Sequence, residues 1–338
     1  MTTLIHGIPI ANPQAVALFS TGLDSILAVK VLQRQHLAVQ GLYFTTPFFN
    51  NDIRGREDEF IRLIKQRYRI PLCVVDISSD FLTLLEAPPH GYGKNFNPCI
   101  DCKILMVQKA KTYAKQWGAG CIVTGEVLGQ RPFSQRRDTM RIIERDSDTD
   151  GMLLRPLSAR LLKETVAEQT GLVDRTLLYD FSGRGRKQQL MLAAELGITD
   201  FPTPAGGCLL TDPAFARRIQ SLYAAGHQPA AREVEVLKYG RFYPFAAGTF
   251  LAVGRNKNEN QQLLSLATAA DIILKLVEMP GPVGFFTGDH LQLQQAGALL
   301  VQHSKARNQP EVTISWTQGK TSGRFRLSPL RPETAEAS

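Results

Sequence analysis

The sequence predicts an α/β fold: a doubly wound parallel sheet followed by a smaller C-terminal α+β domain. Three observations carry this. Apolar strand-like runs alternate with helical patterns through the first part of the 338 residues, the pattern of a parallel sheet with crossover helices. The segments richest in polar and glycine residues directly follow those strands, where open α/β sheets bind ligands. After about residue 231 the texture changes to mixed strands and helices ending in two alternating runs. The expected domains are 1–230 and 231–338.

The elements follow in order. Ala15 to Phe19 is a buried strand, and Ile26 to Gln35 an amphipathic helix. Ala38 to Phe44, Leu72 to Ile77 and Cys121 to Thr124 are further strands, with helices over Arg56 to Tyr68 and Lys103 to Trp117 between them. Residues 88–102, PPHGYGKNFNPCIDC, form a long Pro/Gly/Asn-rich loop, and loops of this length usually serve function. Pro98 stops a helix from running into Cys99. Asp146 to Asp150 is an acidic surface turn, followed by a short strand, Leu153 to Leu157. Lys163 to Thr170, Lys187 to Leu196 and Pro213 to Tyr223 are helices, with a Pro/Gly-rich loop between the last two. In the second domain, strands are expected at 241–245, 249–253, 272–277 and 283–287. Helices fall at 259–270 and 290–304, and a hairpin joins Val312–Thr317 to Gly323–Leu327. The tail from Arg331 is polar and loose.

Composition limits the function classes. With 43% apolar residues, the chain can build a globular core. No run reaches the ~20 apolar residues of a membrane span, and the N-terminus lacks the basic start and apolar stretch of a signal peptide. The expected location is the cytoplasm. The net charge of +8 is spread along the chain and fits a polyanionic partner such as RNA. Five cysteines, an odd number without a secretion signal, argue against a disulfide framework. Cys73 and Cys121 sit in apolar strands and behave as small hydrophobes.

The turn after the first of these strands, Ser20-Thr21-Gly22-Leu23-Asp24-Ser25, has the composition of an anion site. It joins a strand to a helix N-terminus, whose N–H groups and dipole favour negative charge. Gly22 is expected to allow a tight bend and close backbone approach. Cys99 and Cys102 stand as C-x-x-C just before a helix, a position that lowers a thiol pKa. Cys208 lies on a Gly-Gly turn far downstream. Three cysteines suit a 4Fe–4S cluster with one iron left open, whereas a structural zinc wants four ligands. His90 lies on the same loop without motif spacing. A cluster-free persulfide route, a redox C-x-x-C pair and a thiol pair without function stay open beside the cluster. Arg131, Arg136 and Arg137 form one basic group, and Arg184, Arg186 and Lys187 another. Each is either a solvated face or a set of phosphate contacts.

Ser20, Gly22, Asp24 and Ser25 resemble the SGGxDS signature of the PP-loop ATP pyrophosphatases, with Thr21 where that family usually has glycine. NPCIDCK, a helix and then Val123-Thr124-Gly125 resemble the tRNA thiouridine synthase branch. TGEVLGQRPFSQRRD, LLRPLSARLLKET, GLVDRTLLYDFSGRGRKQQ and PAGGCLLTDPAFARR are similar to a set of thiouridylase-like PP-loop proteins. GRFYPFAAGTFLAVGRNKNENQQL resembles an NFACT-R domain. The resemblance implies a PP-loop sheet binding Mg²⁺-ATP through Ser20 to Ser25, with Tyr43 and Phe44 at the adenine and Thr124 and Gly125 beside the nucleotide. It implies ATP-dependent sulfur transfer to RNA, above all tRNA, with Asp24, Cys102 and Cys208 catalytic and an unidentified sulfur donor. Cys99, Cys102 and Cys208 match the pattern of cluster-containing enzymes; relatives without C-x-x-C use one thiol equivalent to Cys102 with a downstream partner. In the NFACT-R-like domain, Arg255, Lys257, Arg241 and Lys238 are RNA candidates, and Tyr239, Phe242 and Tyr243 either stack on bases or belong to the core. An acceptor other than RNA, and an RNA-binding adaptor with a vestigial PP-loop, are the rival functions.

Overall fold

The computed structural model describes residues 4–132, 134–202 and 207–328. The expected loose tail, 331–338, and Gly206 of the Gly-Gly turn lie outside the described residues. The chain forms two compact units, meeting at Leu209 and Leu210.

In the first unit the elements run β1 (Leu4–His6), β2 (Ala15–Leu18), α1 (Leu23–Gln33), β3 (Val39–Thr45), α2 (Glu57–Tyr68), β4 (Leu72–Asp76), α3 (Ser78–Glu86) and α4 (Cys99–Trp117). They continue with β5 (Cys121–Thr124), α5 (Arg137–Asp146), β6 (Leu153–Leu154), α6 (Val166–Gln169) and α7 (Lys187–Glu195). The sheet order is β1-β4-β3-β2-β5-β6. β2 to β6 are parallel, and β1 closes one edge antiparallel to β4. The chain moves outward from β2 through β3 to β4, then returns to place β5 on the other side of β2. That reversal is a topological switch point, and it opens a crevice at the carboxyl ends of β2 and β5.

Alternation along the strands feeds two cores. Ala15, Ala17, Val39, Val74 and Val123 face the layer that holds α1, α2, α6 and α7. Val16, Leu18, Leu42, Val75 and Ile122 face α4 and α5. Both faces are covered, as a parallel sheet requires. On α4, Ile104, Val107, Ala110 and Ala114 repeat at helical spacing and bury one stripe.

Three elements of this unit were not expected: β1, α3 and α5. Six of the ten residues of α5, RDTMRIIERD, are charged, yet Thr139, Met140 and Ile143 make a narrow buried stripe that fixes it. The short strand expected at 153–157 pairs only at Leu153–Leu154.

The second unit contains α8 (Pro213–Ala224), α9 (Ala231–Val236), β7 (Arg241–Pro244), β8 (Phe250–Val253), α10 (Lys257–Leu266) and β9 (Ile272–Leu276). β10 (Gly284–Phe286), α11 (Leu293–Gln302), β11 (Val312–Gln318) and β12 (Thr321–Leu327) complete it. Its sheet, β12-β11-β9-β10-β8-β7, is antiparallel throughout. Leu293, Ala296, Leu300 and Val301 of α11 pack on one face. The hairpin β11–β12 turns at Gly319-Lys320, with Gly319 at φ 57°. α8 packs here because Arg218 donates to the carbonyls of Leu237 (2.6 Å) and Gly240 (3.0 Å), just ahead of β7. Among the described residues no helix is long and apolar enough to cross a membrane.

Candidate functional site

The turn that leaves β2 carries the first half of the site. Ser25 Oγ donates to the Gly22 carbonyl (2.8 Å) and accepts from the Ser20 amide (3.2 Å), which folds the six residues back on themselves. No side chain caps α1, so its N-terminal N–H groups keep the polarity of a helix end.

The conformational burden falls on an unexpected residue. Gly22 has φ −65°, open to any amino acid, and a Cβ there would meet only Ser20 Oγ at 3.5 Å. Thr21 has φ 59°, in the left-handed region that favours glycine. Thus the position where the resembling family has glycine does have a glycine-like backbone, and this chain fills it with a β-branched residue. The close approach expected at Gly22 occurs instead at Gly125. A Cβ there would lie 2.5 Å from the Asp24 carbonyl and the Ser25 nitrogen. Only glycine lets the end of β5 lie against the first turn of α1.

Asp24 points into a polar recess. Gln130 Nε2 donates to its Oδ2 (3.1 Å), while Oδ1 is buried without a partner among the described residues. Desolvation raises the carboxyl pKa, and Gln130, Arg186, Arg131 and the amide of Gln189 pull against that rise. The Gln189 amide lies close enough to Asp24 to ease that rise, yet among the described residues neither of its buried polar atoms has a partner in full hydrogen-bond geometry.

Beyond Gly125 lies a buried charged network. Glu126 accepts from Thr124 Oγ1 (3.0 Å) and Arg155 Nε (3.1 Å), and Lys103 Nζ stands 3.7 Å away. Arg155 also pairs with Glu144 of α5. Burial pushes the Glu126 carboxyl up, but Lys103 and Arg155 outweigh it and hold its pKa below the usual range.

The thiols sit one residue from this network. α4 begins at Cys99 itself, with Pro98 as its N-cap and the Cys102 amide bonded to the Pro98 carbonyl (2.8 Å). Proline, having no N–H to lose, opens the helix rather than delaying it. Cys99 and Cys102 are therefore one turn apart on the first turn, not ahead of the helix. Asn97 Nδ2 lies 3.1 Å from Cys99 Sγ. The expected thiolate-favouring shift does not occur at Cys102. Burial raises its pKa, the neighbouring Cys208 adds to the rise, Lys103 opposes it, and Cys99 adds again. Cys208 is brought near by its neighbour Leu209, whose amide donates to the Phe48 carbonyl (2.9 Å). Cys73 and Cys121 are buried, and burial pushes their thiols up to about 11 and about 12. His90 is engaged elsewhere: its ring nitrogens meet Asp101 (2.7 Å) and Asp146 (3.0 Å). Among the described residues no three His, Cys, Asp or Glu side chains close on one point as the ligands of a single metal ion would.

The other expected residues divide. Tyr43 and Phe44 lie within β3 at 4% and 3% exposure, Tyr43 against Phe60, so their side chains belong to the two cores. Arg131 is exposed and Arg186 half-buried, and both act on Asp24. Arg136, Arg137, Arg184 and Lys187 are exposed, and Arg136 pairs with Asp138 (3.4 Å). In the second unit Arg255 is held by Glu259 (2.6 Å), while Lys257 and Arg241 are exposed. Lys238 pairs with Glu235 (2.6 Å). Phe242 packs on Phe250 and Tyr243 bonds His303, both structural roles. Sequence reasoning missed Lys103, Glu126, Arg155 and Gln189. The first two flank flagged residues and were within reach; a glutamine inside a helix gives no signal.

Residues 11–174 match the family described as thiamine biosynthesis protein (ThiI), and residues 240–337 match the NFACT protein RNA binding domain. A tRNA sulfurtransferase of Sodalis glossinidius (strain morsitans) is 29% identical over 175 residues, 49% of this chain and 34% of that protein. The chain spans about a third of the length of the curated relatives it matches. Among solved structures, a 4-thiouridine synthetase–RNA complex with bound ATP aligns at 18% identity and TM-score 0.35, over 58% of this chain and 56% of that one. The U34-tRNA thiolase NcsA from Methanococcus maripaludis, with its 4Fe–4S cluster, aligns at 15% identity and TM-score 0.32, over 69% and 75%.

Proposed function

We propose that this chain, which joins a PP-loop domain of the ThiI-like, tRNA sulfurtransferase type to an NFACT-R-like domain, is an ATP-dependent sulfurtransferase that thiolates uridine in RNA, with tRNA the favoured acceptor. One observation carries the reading: two links along the chain and two across space join the segment that carries Cys102 to the turn after β2. Cys102 adjoins Lys103, Lys103 pairs with Glu126, Glu126 adjoins Gly125, and Gly125 abuts Asp24 and Ser25. Nucleotide chemistry and sulfur chemistry then share the crevice at the carboxyl ends of β2 and β5.

The reaction requires two displacements. The uracil carbonyl oxygen attacks the α-phosphorus of ATP; the new C–O–P linkage forms as the bond to pyrophosphate breaks. Sulfur then bonds to the same carbon, and AMP leaves with the carbonyl oxygen. In this reading the backbone N–H groups of Ser20 to Ser25 and the α1 dipole stabilise the departing pyrophosphate, with Mg²⁺ held by Asp24. The acyl-like adenylate needs a dry site; Phe48, whose carbonyl accepts from the amide next to Cys208, and Ile104, two residues after Cys102, are both buried.

Cys99, Cys102 and Cys208 would hold the 4Fe–4S cluster. The donor set fits: three neighbouring thiols would each ligate a separate part of such a cluster and need not close on one point. The chemistry such a cluster would supply there is a binding place for inorganic sulfur. The same thiols allow a second route. There a persulfide on one thiol attacks the activated carbon, the partner thiol cleaves the S–S bond, and a dithiol reductant reopens the Cys102–Cys208 disulfide.

The deciding assay is pyrophosphate release from Mg·ATP with and without added tRNA, paired with mass spectrometry of the tRNA nucleosides. Release that depends on tRNA, with a thiolated uridine formed, is the expected result. Release indifferent to RNA would move the acceptor to a small molecule or protein. Nucleotide binding without release would leave an RNA-binding adaptor. Protein purified without oxygen should be brown with about four irons per chain, lost in Cys208→Ala and kept in Cys73→Ala.

A further inference from the structure

We infer that the start of α7, through Arg186 and Gln189, forms the second wall of the polyphosphate site and binds the magnesium-bound phosphates of a nucleoside triphosphate. This rests on the nucleotide reading above and extends it to a segment beyond residues 11–174, the stretch matched to ThiI. It also removes Arg186 from the RNA-facing group in which its sequence context placed it.

The placement follows from backbone pairing. Leu128 and Ser182 form a parallel bridge, and the Gly183 amide donates to the Leu128 carbonyl at 2.7 Å. Residues 183–189 are thereby laid beside Gln130, which already holds Asp24. α7 packs against α1, whose first turn carries Asp24. Arg186 and Gln189 converge with Gln130 on one carboxylate.

Unmet hydrogen-bonding capacity marks this recess as a binding site. Seven buried side-chain polar atoms lack a partner among the described residues, and five of them are here: Asp24 Oδ1, Gln130 Oε1, Arg186 Nε and both amide atoms of Gln189. Gln189 is only 1% exposed. Buried groups left unpaired are rare in native proteins, and a cluster of them calls for a ligand.

The mixture of atoms names the ligand class. Asp24 Oδ1, Gln130 Oε1 and Gln189 Oε1 are oxygens, the ligands that Mg²⁺ takes. The Arg186 guanidinium and the Gln189 N–H are donors for phosphate oxygens, with Arg131 adding positive charge. A bare anion would be repelled by the three oxygens, and a bare cation by the two arginines. A magnesium-bound polyphosphate satisfies both sets.

The test measures binding of Mg·ATP, Mg·pyrophosphate and AMP to the full chain and to Arg186→Ala, Arg186→Lys and Gln189→Leu. Losing a charge-assisted hydrogen bond should weaken Mg·ATP and Mg·pyrophosphate by about 10- to 100-fold, with AMP changed less than about threefold. Arg186→Lys should recover part of the loss, since it keeps the charge but not the fork. Gln189→Leu should weaken Mg·pyrophosphate while raising the melting temperature, because it removes two unpaired buried atoms; a residue that only braces the fold would lower it. Equal losses for AMP and ATP, unchanged phosphate affinity, or loss of RNA retention alone would each overturn the assignment. Wild-type protein that binds no Mg·ATP would sink the nucleotide reading itself, a different failure from variants that bind as the wild type does.

Discussion

Two glycines, Gly22 in the turn after β2 and Gly125 packed against the first turn of α1, should respond oppositely to the same added methyl group. At residue 125 a Cβ would lie 2.5 Å from the Asp24 carbonyl, against the 3.4 Å at which ordinary contact begins, so β5 and α1 must part by about 0.9 Å. Both neighbours are backbone, and no rotamer change relieves the clash. Overpacking of this kind costs about 1–3 kcal/mol. For a domain of this size each kcal/mol moves the melting temperature by roughly 2–4 °C, so Gly125→Ala should melt roughly 2–12 °C lower. A displacement near 1 Å in a positioned site can also cost on the order of 10²-fold in turnover. Gly22→Ala meets no such obstacle: its φ of −65° suits alanine. Stiffening the unfolded chain should make that variant about 0.4–1 kcal/mol more stable, yet weaken Mg·ATP, because the methyl group stands over the turn that receives phosphate. Thermal melts and pyrophosphate release measured on both variants decide the matter. A Gly125→Ala protein with wild-type melting and turnover, or a Gly22→Ala protein that melts early, would refute the reasoning.

Three further outcomes follow from the same geometry. Thr21→Gly should stabilise the chain by up to about 1 kcal/mol, the relief of left-handed strain less the entropy glycine adds to the unfolded state, as read by urea titration; a loss of stability would show that the threonine side chain contributes more than it strains. Glu126→Gln should cost about 3–5 kcal/mol, since it leaves Arg155 and Lys103 facing a neutral group in the interior. Because the Glu126 pKa is depressed, its contribution is present above the ordinary value of 4.5 and is lost as pH falls through the lower folded value; the acid limb of the stability profile should flatten in the variant. Asp24 has the opposite sign. Its raised pKa means that ionisation costs stability as pH rises past about 3.8, so Asp24→Asn should be more stable than wild type at pH 7 while pyrophosphate release is lost; retained release would remove Asp24 from the chemistry.

The second strand, the turn after it and the body of α4 were legible because they are local patterns: a buried run, a polar turn with a helix behind it, a helical repeat from Lys103 to Trp117. Other elements were not. α5 is held by three buried side chains among charges, and β1 by pairing with a distant strand. Cys99 was read as lying before its helix, because proline signals a stop as readily as a start until the N-cap geometry is seen.

By itself the sequence determined the alternation of strand and helix, the Ser20–Ser25 turn, the paired thiols and the change of architecture in the C-terminal part. These depend on neighbours along the chain. Only the tertiary structure decided which glycine is indispensable, that Thr21 carries the backbone strain, that burial raises rather than lowers the Cys102 pKa, and that Gln189 and Arg186 face Asp24. The physical reason is that sterics, desolvation and unmet hydrogen bonds depend on distances between residues far apart in sequence, and those distances are set when β5 returns to the other side of β2.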